Sequence, residues 1–189
     1  MINETQQNIL LELAEKAIRH KLTEGKEMTV DPADYEETLR QPAACFVTLE
    51  HRDQLRGCIG SLEAHRSMVL DVVHNAQAAA FSDPRFPPLQ EQELAGLSLH
   101  ISLLTPAVKM QFSSEQDLLS QLQPGVDGLI LEEGYYRGTF LPSVWEQLPQ
   151  PEQFLSHLKR KAGLSPDHWS DEICVSRYAT QIFGRRLAG

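Results

Sequence analysis

Two β-hairpins, separated by amphipathic helices, are the feature of this sequence that most restricts its fold. Residues 43–49 and residues 55–60 are apolar stretches on either side of a short polar turn, which predicts the first hairpin. Residues 126–131 and 135–141 flank Glu132-Glu133-Gly134 and predict the second. Strands that are joined by short turns run antiparallel. Because hairpins and helices alternate here without a regular strand–helix repeat, the sequence predicts an α+β fold with a mostly antiparallel sheet flanked by helices.

The remaining segments show helix and strand periodicity. Residues 4–20 place apolar side chains on one helical stripe, and residues 67–81 have a broad apolar face. Residues 151–162 are followed by Gly163, a residue type that commonly ends helices. Residues 97–104 alternate between apolar and polar side chains, which predicts a half-buried antiparallel strand. A last strand is predicted over residues 173–182.

Length, charge and cysteine content exclude several classes of function. The chain has 189 residues, and its 17 basic and 26 acidic residues give a formal charge of -9, which disfavours binding to nucleic acid. Three widely spaced cysteines without a CxxC pair favour a reducing compartment over a disulfide framework. The N-terminus does not resemble a signal peptide and no apolar run approaches the roughly 18 residues that span a bilayer, so we expect a cytoplasmic protein that binds no membrane. The histidines show no metal-ligand spacing, so no metal is predicted and no cofactor is identified.

The stretch Leu55-Arg56-Gly57-Cys58-Ile59-Gly60 carries the strongest signal for a functional site. Side chains alternate along a strand, which predicts that Arg56 and Cys58 share one face and that Leu55 and Ile59 share the other. Residues two apart on one face lie about 6.5 Å apart, so the Arg56 guanidinium could stabilise a Cys58 thiolate. The alternative is that Cys58 is a small buried apolar residue, the usual role of a single cysteine in a strand.

The two glycines of this stretch indicate a close approach. Gly57 and Gly60 have no side chain, as where a ligand or another backbone segment comes near. Both are therefore candidate ligand-binding residues. The alternative is a bulge or a tight contact within the protein.

A second motif, Asp83-Pro84-Arg85-Phe86-Pro87-Pro88, follows the second helix. Its three prolines fix the backbone and make the loop stiff. A stiff loop holds Asp83, Arg85 and Phe86 in place at low entropic cost, which suits ligand binding. An equally weighted alternative is a proline-terminated helix in which Arg85 pairs internally with Asp83 or another carboxylate.

These motifs, in this order, resemble the AMMECR-domain family, also called AmmeMemoRadiSam system protein A. The resemblance covers nearly the whole chain. Besides the hexapeptide and the proline motif, it includes Asp127-Gly128-Leu129-Ile130, Gly138-Thr139-Phe140-Leu141-Pro142 with Val144, and Lys161-Ala162-Gly163-Leu164.

The resemblance implies a single domain over residues 1–189 that divides into a larger and a smaller lobe. It also implies genomic association with a Memo-like protein and a radical SAM protein, and a cleft lined by the hexapeptide around Arg56 and Cys58. It implies no particular reaction. Lys159 and Ser143 stand where many relatives carry cysteine and glutamine, so neither position can be essential to one shared thiol or amide chemistry.

Two hypotheses about function are compatible with these residues. The first is an accessory module that binds a small anionic ligand or a partner protein through Arg56, Arg85 and Lys161. The second is an enzyme that uses Cys58 as a thiolate nucleophile on a small anionic substrate, which requires a base and an orienting group. The histidines near these segments are His51, His74 and His100. We expect Arg56, Cys58 and Arg85 to converge on one concave surface.

Overall fold

The structure, a computed structural model, describes residues 1–187 of the 189-residue chain. The chain forms two compact units, a larger one of Met1–Leu104 with the stretch from Gln181, and a smaller one of Thr105–Thr180. Within the described residues, α-helices and two sheets give a mixed α+β architecture, which confirms the predicted fold class and its division into a larger and a smaller part.

The helices and strands have the following bounds in chain order. They are α1 Glu4–Glu24, α2 Glu37–Arg40, β1 Pro42–His51, β2 Gln54–Gly60, β3 Arg66–Ser67, α3 Met68–Phe81, β4 Leu97–Leu104, β5 Val108–Lys109, α4 Glu115–Gln121, β6 Gly128–Glu133, β7 Tyr136–Phe140, α5 Pro151–Ala162, β8 Cys174–Tyr178 and β9 Thr180–Arg186.

The larger unit is built on a sheet with the strand order β2-β1-β4-β9. β1 pairs antiparallel with β2 and β4 along its length and with β3 at its start. β2 and β9 therefore lie at the two edges of this sheet. Apolar side chains alternate along β1 and β4 and pack with α1 and α3 in one core, which includes Cys45, Val47, Leu49, Leu97, Leu99, Ile101 and Leu103. The predicted inward face of residues 97–104 and the predicted core position of Cys45 are confirmed.

α1 begins and ends on local signals in the sequence. Asn3 is the N-cap of a capping box with Gln6, and Gly25 ends the helix in the left-handed conformation with φ of 67°. The helix therefore extends one turn beyond the predicted residue 20, to Glu24. Its buried side chains pack against α3 in the core of the larger unit.

Buried polar side chains of α3 fill the place where β1 changes its partner from β2 to β3. The Asp71 carboxylate accepts a hydrogen bond from the Cys45 backbone N–H at 2.9 Å, and Asn75 Nδ2 donates to the Cys45 carbonyl at 3.1 Å. Arg66 Nε lies 3.3 Å from Asp71 Oδ1 and balances its charge. The Cys45 N–H is thus satisfied by a side chain, and the Cys45 carbonyl accepts from Asn75 and from the Ser61 N–H at 3.1 Å, as burial requires.

The smaller unit has a sheet with the strand order β5-β8-β6-β7. Trp145 stacks on Phe154, with ring centroids 3.8 Å apart, in the core of this unit. Lys159 is buried, and its Nζ donates to Glu115 Oε1 at 2.5 Å and to the Pro166 carbonyl at 3.3 Å. Lys159 therefore connects α5 to the start of α4 and to the loop that follows α5.

The prediction of one last strand over residues 173–182 is wrong, because this stretch contains β8 and β9, which belong to different sheets. The break falls at Ala179. Its N–H donates to Thr105 Oγ1 at 2.9 Å, and its carbonyl accepts from the Thr105 N–H at 2.9 Å. These bonds replace strand pairing where the chain leaves the smaller sheet. Residues 173–182 contain no glycine or proline that would have marked this break.

The turn between β1 and β2 is backbone-strained, which leads to a prediction. Arg52 and Asp53 both have positive φ, 53° and 63°, as a two-residue type I′ turn requires. We expect the free energy of unfolding of Asp53→Gly to exceed that of Asp53→Ala by about 1 kcal/mol, because only glycine adopts this conformation without strain. Urea unfolding measures this difference.

Both variants lose the same exposed contact, at 3.5 Å, between Asp53 and Arg186, so their difference isolates the backbone. Equal stability of the two variants would show that the turn carries no such strain.

Candidate functional site

A β-bulge in β2 sets the direction of Arg56. The pairing of β1 with β2 steps from Leu49 opposite Gly57 to Glu50 opposite Leu55. Arg56 is therefore an extra residue without a cross-strand partner. Such a bulge redirects side chains and interrupts the alternation of the strand.

The bulge overturns the predicted assignment of faces. Cys58 lies opposite Thr48 and Leu55 lies opposite Glu50, so Cys58 and Leu55 share a face. Ile59 lies on the other face, where it packs against the core. Arg56 has no cross-strand partner, so the register assigns its side chain to neither face. The prediction that Leu55 and Ile59 share a face is therefore wrong, because alternation was assumed through a bulge. A common face for Arg56 and Cys58 stays a prediction.

Arg56 is a buried residue of an ion pair. Its Nε donates to Glu93 Oε1 at 2.7 Å and its Nη2 to Glu93 Oε2 at 3.0 Å, and Nη2 also donates to the Pro87 carbonyl at 2.9 Å. Only 11% of the Arg56 side chain is exposed. The hydrogen bond from Arg56 lowers the pKa of Glu93 below its ordinary value. The charge of Arg56 is thus balanced within the protein, and its guanidinium fastens β2 to the proline motif.

Asp83 and Arg85 hold the backbone of Cys58 at the edge of the sheet. Asp83 Oδ2 accepts from the Cys58 N–H at 2.9 Å and from Arg85 Nη2 at 2.7 Å. Asp83 Oδ1 accepts from Arg85 Nε at 3.0 Å and from the Arg85 N–H at 3.1 Å. Arg85 Nη2 also donates to the Cys58 carbonyl at 3.3 Å. We call this arrangement of Asp83, Arg85 and the Cys58 backbone the edge clamp.

The edge clamp is strongly charge-assisted. Several hydrogen bonds hold the pKa of Asp83 well below its ordinary value, and the bond from the Arg85 side chain has the largest effect. The same bond raises the pKa of Arg85. Asp83 is buried, whereas 53% of the Arg85 side chain is exposed. The internal Asp83–Arg85 pair that the sequence allowed is therefore present, and part of the Arg85 side chain still reaches solvent.

The thiol of Cys58 is hydrogen-bonded by a hydroxyl group. Thr48 Oγ1 donates to Cys58 Sγ at 3.2 Å, and the Cys58 side chain is half-buried. His100 lies opposite Thr48 on β4, but its Nε2 is 3.5 Å from Glu50 Oε2 and its ring lies against Gly184. Within residues 1–187 no histidine is hydrogen-bonded to the thiol. The nucleophile hypothesis therefore stays a prediction.

The two glycines of the hexapeptide are close to other parts of the protein itself. A Cβ at Gly57 would lie 2.1 Å from the carbonyl oxygen of Ala79 in α3. A Cβ at Gly60 would lie 2.4 Å from the Phe46 ring and 2.5 Å from the Cys45 carbonyl. The close approach predicted at Gly57 is thus that of a backbone, and the one at Gly60 is that of a ring and a backbone oxygen. Contact of either glycine with a ligand stays a prediction.

Phe86 lies beside both arginines. The Cζ atoms of Arg56 and Arg85 are 5.8 Å and 5.5 Å from the centre of its ring, within the range of cation–π contacts. The predicted residues Arg56, Cys58, Asp83, Arg85 and Phe86 therefore do lie together. Lys161 belongs to the smaller unit, where its Nζ lies 5.0 Å from the centre of the Phe140 ring.

Sequence reasoning missed two residues of this site. Thr48, which donates to the thiol, sits in an apolar strand, and its polar side chain was the available signal. Glu93, which binds Arg56, comes from a short helical turn 37 positions along the chain, and nothing in the sequence pointed to it.

The described residues show neither a membrane-spanning helix nor a metal centre. None of the helices in residues 1–187 combines the length and the apolar character needed to cross a bilayer. No three or more His, Cys, Asp or Glu side chains in this range are placed to hold a metal ion.

Comparison with known proteins agrees with this fold. A family model described as AMMECR1 matches residues 11–183. A protein of Methanothermobacter thermautotrophicus is 39% identical over 180 residues, which cover 92% of this chain and 91% of the relative. Protein MJ0810 of Methanocaldococcus jannaschii is 35% identical over 176 residues, which cover 89% and 85%. The crystal structure of the uncharacterized protein PH0010 from Pyrococcus horikoshii has a TM-score of 0.84 and 32% identity, and the match covers 98% of this chain and 94% of that one.

The fold and the clamped edge strand thus define a two-unit α+β protein in which the hexapeptide is held by the proline motif. The match over residues 11–183 and the relatives of similar length show its family. The chain belongs to the AMMECR1 family. The resemblance seen in its motifs is confirmed.

Substitutions at two neighbouring residues of the hexapeptide should differ in how much they change the stability of the fold. Gly57→Ala is expected to lower the free energy of unfolding by at least about 2 kcal/mol, because its Cβ would overlap a backbone oxygen of α3 that no rotamer change can move. Cys58→Ser is expected to change it by less than about 1 kcal/mol, because a serine hydroxyl keeps the Thr48 partner. Urea unfolding at neutral pH measures both, and a Gly57→Ala variant as stable as the wild type would refute the close contact.

The stabilisation by Asp83 should depend on pH. The folded-state pKa of Asp83 is below the unfolded value of about 3.9, so the carboxylate stabilises the fold above that value and loses this effect as the pH falls towards the folded pKa. At pH 7, Asp83→Asn is expected to cost about 2 kcal/mol, because the amide cannot accept all of the charge-assisted bonds.

Urea unfolding of both proteins between pH 7 and pH 3 tests this prediction. The stability difference should be constant down to about pH 5 and should shrink below it. A difference that stays the same to pH 3 would contradict the assigned role of the Asp83 charge.

Proposed function

We propose that this protein is an accessory binding module that acts with Memo-like and radical SAM proteins, and that it presents a surface of Cys58, Arg85 and Phe86 to a protein partner. The observation that supports this most is the state of Arg85. Its Nε and Nη2 are fixed on Asp83, while 53% of its side chain is exposed beside Phe86. A half-exposed arginine that loses little conformational freedom on binding, next to an aromatic ring, is typical of residues that dominate protein interfaces.

The charge balance favours a protein partner over a free anion. Arg85 is paired with Asp83 and Arg56 with Glu93, so each guanidinium is matched by a carboxylate. A small anionic ligand would therefore meet little net positive charge here. This weakens the expectation of an anionic ligand, which was based on the charge of these arginines. A partner protein can instead meet the exposed guanidinium, the ring and the half-buried thiol as one mixed surface.

The cellular setting and domain organisation are proposed on related grounds. The described thiols, at Cys45, Cys58 and Cys174, are free, which suits the reducing cytoplasm. We treat residues 1–189 as one AMMECR-type domain, because the family match runs through both units and the chain returns to the larger unit in β9. Membership of the family brings the expectation that Memo-like and radical SAM proteins are the partners.

Binding measurements with the Memo-like and radical SAM proteins of the same genome test the proposal. The wild type is expected to bind at least one of them in biolayer interferometry. Phe86→Ala and Arg85→Gln are expected to weaken that binding by roughly tenfold or more, the size of a moderate interface residue's contribution. Arg19→Gln is the matched control, because Arg19 is a partly exposed arginine that also pairs with a carboxylate, on α1.

Circular dichroism confirms that each variant is folded before its affinity is compared. Wild-type protein that binds neither partner, or Arg85 and Phe86 variants that bind as tightly as the Arg19 control, would reject the proposal.

A further inference from the structure

The edge clamp takes the place of a neighbouring strand. β2 is an edge strand, so the N–H and carbonyl groups that point away from β1 have no strand partner. At Cys58 the Asp83 carboxylate accepts from the N–H and the Arg85 guanidinium donates to the carbonyl. One acceptor and one donor at the same residue are what an added antiparallel strand would provide.

The rest of the proline motif also protects this edge. Pro84, Pro87 and Pro88 have no N–H to offer to another strand. The Pro87 carbonyl is taken up by Arg56. Proteins commonly protect exposed edges with proline, charge and bulges, and all three occur along β2.

The two halves of the clamp differ in strength. The Cys58 N–H donates to the buried Asp83 carboxylate at 2.9 Å. The bond to the Cys58 carbonyl is 3.3 Å long and solvent-exposed. Loss of Arg85 alone would therefore free the carbonyl, whereas loss of both side chains would free the whole edge at this residue.

A freed β2 edge is suited to pairing with the same strand of a second copy. In an antiparallel arrangement centred on Cys58, each Cys58 would face the other, Gly57 would face Ile59 of the second copy, and Arg56 would face Gly60 of the second copy. No like charges would then lie opposite each other, which such pairing requires. Both outward groups of Cys58 would exchange hydrogen bonds with the second Cys58.

We infer that the Asp83–Arg85 clamp masks a strand edge that would otherwise pair with β2 of a second copy of this chain. The clamp would then be a device that keeps the protein from associating with itself through β2. This inference is independent of the partner surface proposed above, because it concerns what happens when the clamp is removed.

The test compares two double variants in size-exclusion chromatography with light scattering. Asp83→Ala with Arg85→Ala is expected to form a dimer with an affinity roughly tenfold or more above that of the wild type, the change that two regained backbone hydrogen bonds give. Asp71→Ala with Arg66→Ala is the matched control. It removes a carboxylate–arginine pair whose carboxylate accepts from the Cys45 N–H. Cys45 lies in an interior strand, so no edge is freed.

Cross-linking shows where the copies meet. Facing residues of a hydrogen-bonded pair have Cα atoms about 5.5 Å apart, inside the roughly 4.4–6.8 Å over which a disulfide closes. With diamide, two Cys58 thiols lose two protons and two electrons to the azo bond, which becomes a hydrazine, and one S–S bond forms. Peptide mass mapping should find the Cys58–Cys58 link in the Asp83/Arg85 variant and not in the wild type or the control.

Each outcome decides the inference. A folded Asp83/Arg85 variant that stays monomeric and gives no Cys58–Cys58 link overturns it, and so does equal dimerisation of the Asp71/Arg66 control. If the double variant does not fold, Asp83→Ala alone decides, because it frees the Cys58 N–H and removes the carboxylate that fixes Arg85. A Cys58–Cys58 link in folded Asp83→Ala supports the inference, and its absence rejects it.

Discussion

The hydrogen bond from the Cys58 backbone to the buried Asp83 carboxylate is the interaction on which the site depends. It fixes the edge strand to the proline motif, and through the same carboxylate it fixes Arg85. Gly57 makes this possible, because its missing side chain lets α3 approach β2, and the proline motif follows directly from the end of α3. The missing side chain of Gly57 and the charge of Asp83 together let one strand, one helix and one loop meet.

The same solution is used twice in the larger unit. Asp71 accepts from the Cys45 N–H and pairs with Arg66, and Asp83 accepts from the Cys58 N–H and pairs with Arg85. In each case a strand has a backbone group without a strand partner, and a carboxylate balanced by an arginine satisfies it. The difference lies in exposure: the first pair fills a gap inside the sheet, whereas the second protects its edge and leaves part of a guanidinium in solvent.

Much of the fold could be predicted from periodicity, and the site only in part. Alternation in residues 97–104 predicted a strand, and the motifs and their order indicated the family, because these signals are local. Leu55 was assigned to the wrong face, since the bulge at Arg56 depends on pairing with β1 and leaves no mark in the hexapeptide itself. Glu93, which binds Arg56, was missed because a contact between residues far apart in the chain has no periodic signature. The Asp83–Arg85 pair was foreseen as an alternative, because the two residues are close in sequence.

The most direct test of this account is the exchange rate of the Cys58 amide proton, measured by NMR or by mass spectrometry with fragmentation. In the wild type this amide should be protected at neutral pH although it points away from β1. Asp83→Asn should speed its exchange by about tenfold or more, the factor that corresponds to about 1.4 kcal/mol, while Asp71→Asn should leave it unchanged. Equal protection of the Cys58 amide in the wild type and in Asp83→Asn would contradict the central role of the clamp.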